Sequence, residues 1–426
     1  MREMKDSGID GIGLIPEFWN ISRLKYIAKF FNGDRGTNYP SGDDLLDDGI
    51  AFLTSNNIRG TILDCAHEKS KYIADELYNR LGGAKIALND IVFCLRGSVG
   101  NCAINKTLIK GTIASSLMTI RPIKAFPDFI NYVLQTDVCN IQTVKCMNGS
   151  CASNLSAENV SNYYFAEPSI AEQKRIASFL DSKCSEIDAI SADIQREIET
   201  LEQYKRSVIT EAVTKGLDPN AEMKDSGVQW IGKIPANWVC IRGKYTLQYM
   251  QKPVKSDDGI ITCFRNGEVT LRSNRREDGF TMADREIGYQ GIDVGDLVVH
   301  GMDGFTGAIG ISDSRRKASP VLNVLGSQQN KKYIMYYLRS MAYGDVFTAL
   351  STGIRVRSCD LRWNKLSELL YPVPPLEEQT KIVEYIEGIL NKVNTVVNEK
   401  KQQLDILETY KRSLIYEYVT GKKEVI

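Results

Sequence analysis

The residue types that carry most enzyme chemistry are sparse in this chain. Its 426 residues include only two histidines, His67 and His300, and neither has a partner at the spacing of a catalytic pair. Cys146 and Cys151 lie close together, but no further Cys or His stands at zinc-ligand spacing. We therefore expect structural roles for both histidines and no metal site.

Two short stretches share features with known active sites but lack their other components. GFTGAIG, from Gly304 to Gly310, is rich in glycine like a phosphate-binding loop, but it has neither a Lys-Ser/Thr pair nor strand-loop-helix spacing. Glu399, Lys400 and Lys401 have the Glu-x-Lys spacing of some nucleases, but they lie within a predicted helix. The first stretch predicts a hairpin turn, and the chain as a whole is predicted to catalyse nothing.

The chain is an internal duplication. EMKDSG begins at Glu3 and again at Glu222, and PSIAEQKRIASFL from Pro168 matches PPLEEQTKIVEYI from Pro374. The second match continues without a gap to LEQYKRSVITEAVT and LETYKRSLIYEYVT. Further residues of the first match recur in register downstream: Ile12, Gly13, Ile15, Pro16, Trp19, Arg23, Lys25 and Tyr26. Self-similarity of this kind predicts two copies of one structural plan.

Each copy ends in a long amphipathic helix. Apolar residues recur at steps of three and four from Ser169 to near Gly216, and again up to Gly421, and the seam that they predict includes Ile190, Tyr204, Val396 and Tyr410. Ser169 and Glu172 form a capping-box pattern at the first helix start. About 45 residues make a helix roughly 70 Å long, more than a domain of about 150 residues can cover. The two stripes therefore predict an antiparallel intramolecular coiled coil that holds two globular parts apart.

The globular parts combine strands, turns and short helices, which predicts an α+β fold. We expect two α/β domains at residues 1–167 and 223–373, joined by long-helix segments at 168–222 and 374–426. In both domains a hairpin precedes a helix, and the predicted hairpins and helices are Asn89–Ile104 with Asp128–Val144, and Gly295–Ile311 with Lys331–Phe347.

Composition limits the class of protein. The net charge is zero, but residues 223–373 hold 21 Lys/Arg against 15 Asp/Glu, whereas residues 1–167 hold 17 against 18. A nucleic-acid partner would therefore meet its basic excess in the second domain. The start lacks an apolar signal-peptide core, no apolar run spans a bilayer, and the ten cysteines are scattered. These features predict a cytoplasmic protein with reduced thiols.

The repeated motifs resemble the specificity subunit of type I restriction-modification systems. The EQKRI and EQTKI helix starts, and YKRSVITEAVTKGL followed by MKDSGVQWIGKIPANW, carry this resemblance, which extends over the whole chain. It implies that each α/β domain is a target-recognition domain for one half of a split sequence in double-stranded DNA. It also implies docking of two modification subunits, which bind S-adenosylmethionine and methylate adenine, and of ATP-driven restriction subunits. No cofactor is then expected in this chain, with S-adenosylmethionine, ATP and Mg on the partners.

DNA reading requires donors and acceptors at base edges, with cations at the phosphates. Candidates are polar residues in turn-like stretches after predicted strands. In the first domain they are Ser55, Asn56, Asn57, Arg59, Lys69, Lys71 and Arg96. In the second they are Arg265, Asn266, Arg272, Asn274, Arg275 and Arg276, with Arg315, Arg316 and Lys317 for phosphates.

The long helices offer candidates for partner docking, because two copies of one partner should meet the same side chains twice. Polar residues that recur identically in both helices are Glu172, Gln173, Tyr204, Lys205 and Arg206, with Glu378, Gln379, Tyr410, Lys411 and Arg412. Helix capping and seam packing explain part of this recurrence.

Two other functions are open on the sequence. The chain could be a non-enzymatic coiled-coil scaffold whose globular ends bind proteins, although the Arg-rich second domain argues against that. It could also be a self-sufficient methyltransferase, but it lacks both the Asn/Asp-Pro-Pro-aromatic motif and a cofactor loop. Binding to S-adenosylmethionine alone would distinguish the methyltransferase.

Overall fold

A computed structural model describes residues 2–65, 70–147, 155–275, 287–350 and 361–425. Contacts divide the chain into two compact units. Unit 1 comprises Met1–Asp193 and Gln402–Ile426, and unit 2 comprises Ile194–Lys401. Each unit contains a globular α/β part and one segment of each long helix.

Unit 1 has short strands followed by short helices. The strands are β1 (Met4–Asp6), β2 (Leu14–Pro16), β3 (Asn20–Arg23), β4 (Ala28–Asn32), β5 (Ile50–Leu53), β6 (Lys71–Ile73), β7 (Ile91–Cys94), β8 (Cys102–Ile104), β9 (Gly111–Ile113), β10 (Leu117–Pro122) and β11 (Tyr164–Glu167). The short helices are α1 (Asp75–Arg80), α2 (Pro127–Leu134), α3 (Asp137–Met147) and α4 (Ala157–Ser161), and the long helix α5 (Ile170–Lys215) begins in this unit.

Unit 2 repeats this order. Its strands are β12 (Met223–Asp225), β13 (Lys233–Pro235), β14 (Val239–Arg242), β15 (Gln248–Tyr249), β16 (Ile260–Cys263), β17 (Val269–Leu271), β18 (Gln290–Ile292), β19 (Leu297–His300), β20 (Ile309–Ile311), β21 (Arg316–Ala318), β22 (Leu322–Gly326) and β23 (Leu370–Val373). Its helices are α6 (Gly243–Thr246), α7 (Lys331–Tyr343), α8 (Val346–Ala349), α9 (Trp363–Leu366) and the long helix α10 (Leu376–Val419).

The first sheets of the two units correspond strand by strand, and the second sheets differ by one additional strand, β18, in unit 2. An antiparallel sheet of order β4-β10-β7-β8 in unit 1 matches β15-β22-β19-β20 in unit 2. Each unit has a second sheet. Its strand order is β6-β5-β9 in unit 1 and β17-β16-β21-β18 in unit 2. In both second sheets one pair is parallel, β5 with β9 and β16 with β21. The duplication read from the ends of each copy therefore extends through the globular parts, although their sequences differ.

The predicted hairpins form, as β7-β8 and β19-β20. The predicted helices are shorter than expected. The first is broken at Gln135 between α2 and α3, and the second ends at Tyr343, before Asp345 adopts a left-handed conformation with φ of 53°. A non-glycine residue in that conformation cannot continue a right-handed helix.

The long helices begin and end within two residues of the predicted positions, and their segments pack antiparallel within each unit. In unit 1, Lys411 of α10 donates to both carboxylate oxygens of Asp188 of α5 at 2.7 Å. In unit 2, Lys400 of α10 pairs with Glu197 of α5. Many predicted seam residues are buried, but four are at least 39% exposed: Ile190, Tyr204, Val396 and Tyr410. The prediction that these four lie in the seam is wrong.

The repeated Ile-Pro-x-x-Trp motif fastens each globular part to both long helices. The Trp19 indole donates to Glu172 near the start of α5 at 3.0 Å, and the Trp238 indole donates to Glu378 near the start of α10 at the same distance. Each tryptophan also lies against the glycine that follows the other long helix, Gly421 for Trp19 and Gly216 for Trp238. We call these two arrangements the tryptophan anchors.

The glutamine after each of these glutamates completes the attachment. The side-chain amide oxygen of Gln173 accepts from the backbone N–H of Phe126, just before α2, at 2.8 Å. The side-chain amide oxygen of Gln379 accepts from the backbone N–H of Asn330, just before α7, at 2.9 Å. The capping box predicted at Ser169 forms only in part. Its hydroxyl accepts from the Glu172 N–H at 3.3 Å, while the Glu172 carboxylate turns to Trp19.

Candidate nucleic-acid interface

The polar cluster after β5 in unit 1 is a capped turn. Thr54 caps the 3₁₀ turn Ser55–Asn57, and the Asn57 amide accepts from the Thr54 N–H and donates to the Asp64 carbonyl at 3.0 Å. Asn57 is 1% exposed. The prediction that Asn57 reads a base is therefore wrong, because its hydrogen bonds hold the loop.

The neighbouring candidates are more accessible. Asn56 and Arg59 are exposed, and the Arg59 Nε donates to the Asn56 carbonyl at 3.1 Å. Ser55 is half-buried. Lys71 is exposed on β6, and Arg96 is partly exposed in the β7-β8 loop. Lys69 and His67 lie outside the described residues.

Arg59 lines a cleft of about 640 Å³ between the globular part of unit 1 and the long-helix segments. Gln135 and Asn140 contribute from the α2-α3 region, and Asp188 and Lys411 from the long helices. The ion pair between Asp188 and Lys411 leaves Arg59 as the cation of this cleft without a paired carboxylate among the described residues. The Gln135 side-chain nitrogen is buried there with no hydrogen-bond partner in the described part of the chain.

In unit 2 the corresponding turn follows β16 and carries Arg265 and Asn266, both exposed. Arg265 pairs with Asp303 at 3.2 Å. The Asn266 carbonyl accepts from Arg339 of α7 at 3.0 Å, and its side chain accepts from the Glu268 N–H at 3.2 Å. The backbone at Asn266 is thus held by α7 while both side chains face solvent.

The turn after β17 carries Arg272, Asn274 and Arg275. Asn274 donates to Thr270 at 2.8 Å, and Arg275 pairs with Glu268 at 2.9 Å while its guanidinium lies 4.9 Å from the Phe264 ring centre. Arg272 is partly buried. Arg276 lies outside the described residues. The base-reading roles of Arg272, Asn274 and Arg275 stay predictions.

Arg315 is a structural residue. Its guanidinium donates to the carbonyls of Pro253 at 2.8 Å and Ile292 at 3.2 Å, and it pairs with Asp258 and Asp293. These groups hold the Arg315 side chain in place, and its phosphate contact stays a prediction. Arg316 and Lys317 are partly buried on β21 and stay predictions.

A larger cleft, of about 1100 Å³, lies between the globular part and the long-helix segments of unit 2. Residues predicted separately for DNA reading and for partner docking meet there. The side chains that line it include Arg265 and Asn266 from the globular part, Lys205 and Arg206 from α5, Arg339 and Tyr343 from α7, and Lys401 from α10.

Sequence reasoning missed Arg339, Tyr343 and Lys401 as site residues. Arg339 and Tyr343 lie on a helix that is otherwise largely buried, and Lys401 belongs to a run of polar residues on α10. The available signal was their position four residues apart, which places Arg339 and Tyr343 on one helix face.

The docking candidates divide by burial. Glu172, Gln173 and Gln379 are at most 6% exposed and bond within their own units, so the docking role predicted for them is wrong. Glu378 likewise accepts from Trp238. Tyr204 and Tyr410 are 48% and 54% exposed, and Arg206 and Arg412 are also exposed. Lys205 pairs with Glu202 at 2.9 Å. These exposed residues remain candidates.

His300 takes part in a turn rather than in a catalytic pair. Its Nδ1 accepts from the backbone N–H groups of Met302 and Asp303 at 3.3 and 3.0 Å, and burial lowers its pKa. The glycine-rich stretch from Gly304 forms the predicted hairpin, with Gly307 left-handed at φ of 101°.

No group of three or more His, Cys, Asp or Glu side chains among the described residues could hold a metal ion. None of the helices in that part of the chain is both long and apolar enough to cross a membrane.

Residues 16–200 match the family model described as the type I restriction modification DNA specificity domain. The whole chain is similar to the type I restriction enzyme MjaVIII specificity subunit of Methanocaldococcus jannaschii, with 22% identity over 96% of this chain and 94% of that one. It is also similar to the EcoKI specificity subunit of Escherichia coli K12, with 19% identity over 96% and 90%.

A solved chain from work on complex assembly and conformational transition of the type I R-M system superposes with a TM-score of 0.69. The alignment covers 96% of this chain and 99% of that one at 15% identity. This likeness confirms the fold: two α/β domains with two long helices.

Proposed function

We propose that the chain is a specificity subunit of the type I restriction-modification family and that each unit reads one half of a split DNA sequence. The observation that carries this proposal is that the two units have similar folds but present different side chains at equivalent turns. The turn after β5 presents Ser55 and Asn56, and the equivalent turn after β16 presents Arg265 and Asn266. Different donors at equivalent places fit two half-sites of different sequence.

The partners follow from this role. The chain acts in the cytoplasm on double-stranded DNA and docks two modification subunits, which bind S-adenosylmethionine and methylate adenine. Restriction subunits that use ATP and Mg join the same assembly. The chain itself binds no cofactor and supplies specificity rather than catalysis. Tyr204 and Tyr410 support the pair of docking sites, since they recur at equivalent positions and are half exposed.

A genome-wide map of methylated adenine tests the proposal. Cells that carry this chain and its modification subunit are compared with cells in which only this chain is deleted. We expect the deletion to abolish methylation at one split motif, two short half-sites around a fixed gap. Unchanged methylation in the presence of an active modification subunit would refute the proposal and favour a protein-binding scaffold.

The second measurement assigns the half-sites to the units. Asn56→Ala and Asn266→Ala are matched changes in the two equivalent turns. Each should relax specificity within one half-site only, since one good base contact contributes about 1–3 kcal/mol of discrimination. If both variants relaxed the same half-site, the assignment of one unit to each half would be wrong.

A further inference from the structure

We propose that unit 2 carries a sequence-independent anchor for the DNA phosphate backbone that unit 1 lacks. The anchor is the cationic cleft formed by Lys205, Arg206, Arg265, Arg339 and Lys401. This inference rests on the proposed function, because it concerns how the same DNA is held.

The cleft concentrates positive charge around an aromatic ring. The guanidinium of Arg206 lies 5.4 Å from the centre of the Tyr343 ring, and that of Arg339 lies 5.9 Å from it. Arg339 also donates to the Tyr343 hydroxyl at 3.0 Å, which fixes both side chains. The lining thus holds five cations against two carboxylates, Glu202 and Asp345.

Two of these cations are available to a ligand. No ion pair or hydrogen bond joins Lys401 Nζ to any described residue, and Arg206 stacks on Tyr343 without a carboxylate partner in the described chain. Both side chains are exposed. An ammonium and a guanidinium group that face one open cleft favour a polyanion, and the fork of an arginine matches phosphate oxygens.

Two cations of the cleft, Arg339 and Lys401, have uncharged counterparts in the internal repeat. The Glu-Gln attachments align α2 with α7, so that Gln135 stands where unit 2 has Arg339. The offset of 206 between the two long helices makes Gln195 the counterpart of Lys401. The asymmetry agrees with the basic excess of residues 223–373 over residues 1–167.

Backbone binding has a signature that base reading lacks. Removing one phosphate-binding cation lowers the slope of log affinity against log salt by about 0.9, whatever the DNA sequence. An anchor in unit 2 should therefore affect target and scrambled DNA equally, because phosphates carry no sequence information.

The test uses the chain assembled with its modification subunits and measures DNA binding by fluorescence anisotropy at about 50 to 200 mM salt. Two duplexes are compared, one with the mapped split motif and one with it scrambled. The variants are Arg206→Ala and Lys401→Gln, the latter introducing the residue that stands at the equivalent position of the other long helix. We expect each to reduce the salt slope by about 0.9, so that this salt increase weakens binding about 3.5-fold less than in wild type. The ratio of target to scrambled affinity should stay unchanged.

The matched control is Arg412→Ala, the equivalent of Arg206 in unit 1, which should leave the slope within error. An unchanged slope in both unit 2 variants, or an equal loss in the control, would overturn the anchor. Loss of the modification subunit during purification of the variants would overturn it in favour of a protein-docking cleft. If the wild-type complex failed to distinguish the two duplexes, the proposed function itself would fail, and that outcome is read from wild type alone.

Discussion

At the scale of single residues, recurrence in both long helices does not by itself indicate a role in binding a partner. Glu172 and Gln173 recur as Glu378 and Gln379 because each pair satisfies an indole N–H and a backbone N–H of the adjoining globular part. A buried donor left without an acceptor costs about 1–3 kcal/mol, so the same pair is needed at every such attachment. The recurring residues that stay half exposed, such as Tyr204 and Tyr410, are the better guide to an external partner.

His300 provides a pH test of unit 2. Burial lowers its pKa below the ordinary value of 6.5, and its Nδ1 accepts two backbone N–H bonds that only the neutral ring can accept. Below about pH 6.5 the unfolded chain binds a proton that the folded chain resists, so stability falls as pH falls through this window. One such proton changes stability by at most about 1.4 kcal/mol per pH unit.

The variant His300→Asn should flatten this dependence, because an amide oxygen can accept in place of Nδ1 and does not titrate. Thermal unfolding of wild type and variant between pH 7 and 5.5 measures it. We expect a smaller fall in Tm for the variant. Equal falls would show that His300 does not titrate with unfolding.

At the scale of elements, the two tryptophan anchors differ in how closely they pack against the glycine that follows a long helix. Gly421 and Gly216 both have positive φ, 73° and 75°. A Cβ on Gly421 would lie 2.5 Å from Pro16, whereas on Gly216 the nearest atom, of Trp238, is 3.3 Å away. Unit 1 therefore packs more tightly at this point than unit 2.

Alanine at the two positions separates strain from overlap. Gly216→Ala should cost about 1–2 kcal/mol from the left-handed backbone alone. Gly421→Ala should cost about 1–3 kcal/mol more, because Pro16 or Trp19 must move. Hydrogen exchange of each unit measures the two effects separately. A smaller loss of stability for Gly421→Ala than for Gly216→Ala would contradict the geometry of the tryptophan anchors.

The long helices were predictable and the clefts were not, for a physical reason. Apolar periodicity and terminal glycines fix Ile170–Lys215 and Leu376–Val419 from local sequence alone. The cationic cleft depends on Arg206, Arg339 and Lys401, which lie on three elements far apart in sequence. The prediction for Asn57 failed for the same reason, because the loop that closes over its side chain decides whether it faces solvent.

At the scale of the whole molecule, helix length should govern the gap in the recognised sequence. Glu197 and Lys400 face each other across the antiparallel segments, so four residues inserted after Glu197 and after Glu399 lengthen both helices at one level. Each helix gains about 6 Å, close to two base pairs at 3.4 Å each. We expect the methylation map to show the same half-sites with a gap about two bases longer.

A gap of unchanged length would show that helix length does not set the spacing between the half-sites. Two alanine substitutions at the same level, in place of the insertions, control for damage to the coiled coil and should leave the gap as it was.

The tryptophan anchors also bear on the order in which the chain acquires its structure. Unit 2 is continuous, from Ile194 to Lys401, whereas unit 1 includes Gln402–Ile426, and Arg2 pairs with both Glu172 and Glu424. During vectorial synthesis the first domain to emerge usually folds first. Here unit 1 needs residues 402–426, which are synthesised after the whole of unit 2, so unit 1 completes its packing only once unit 2 has been made.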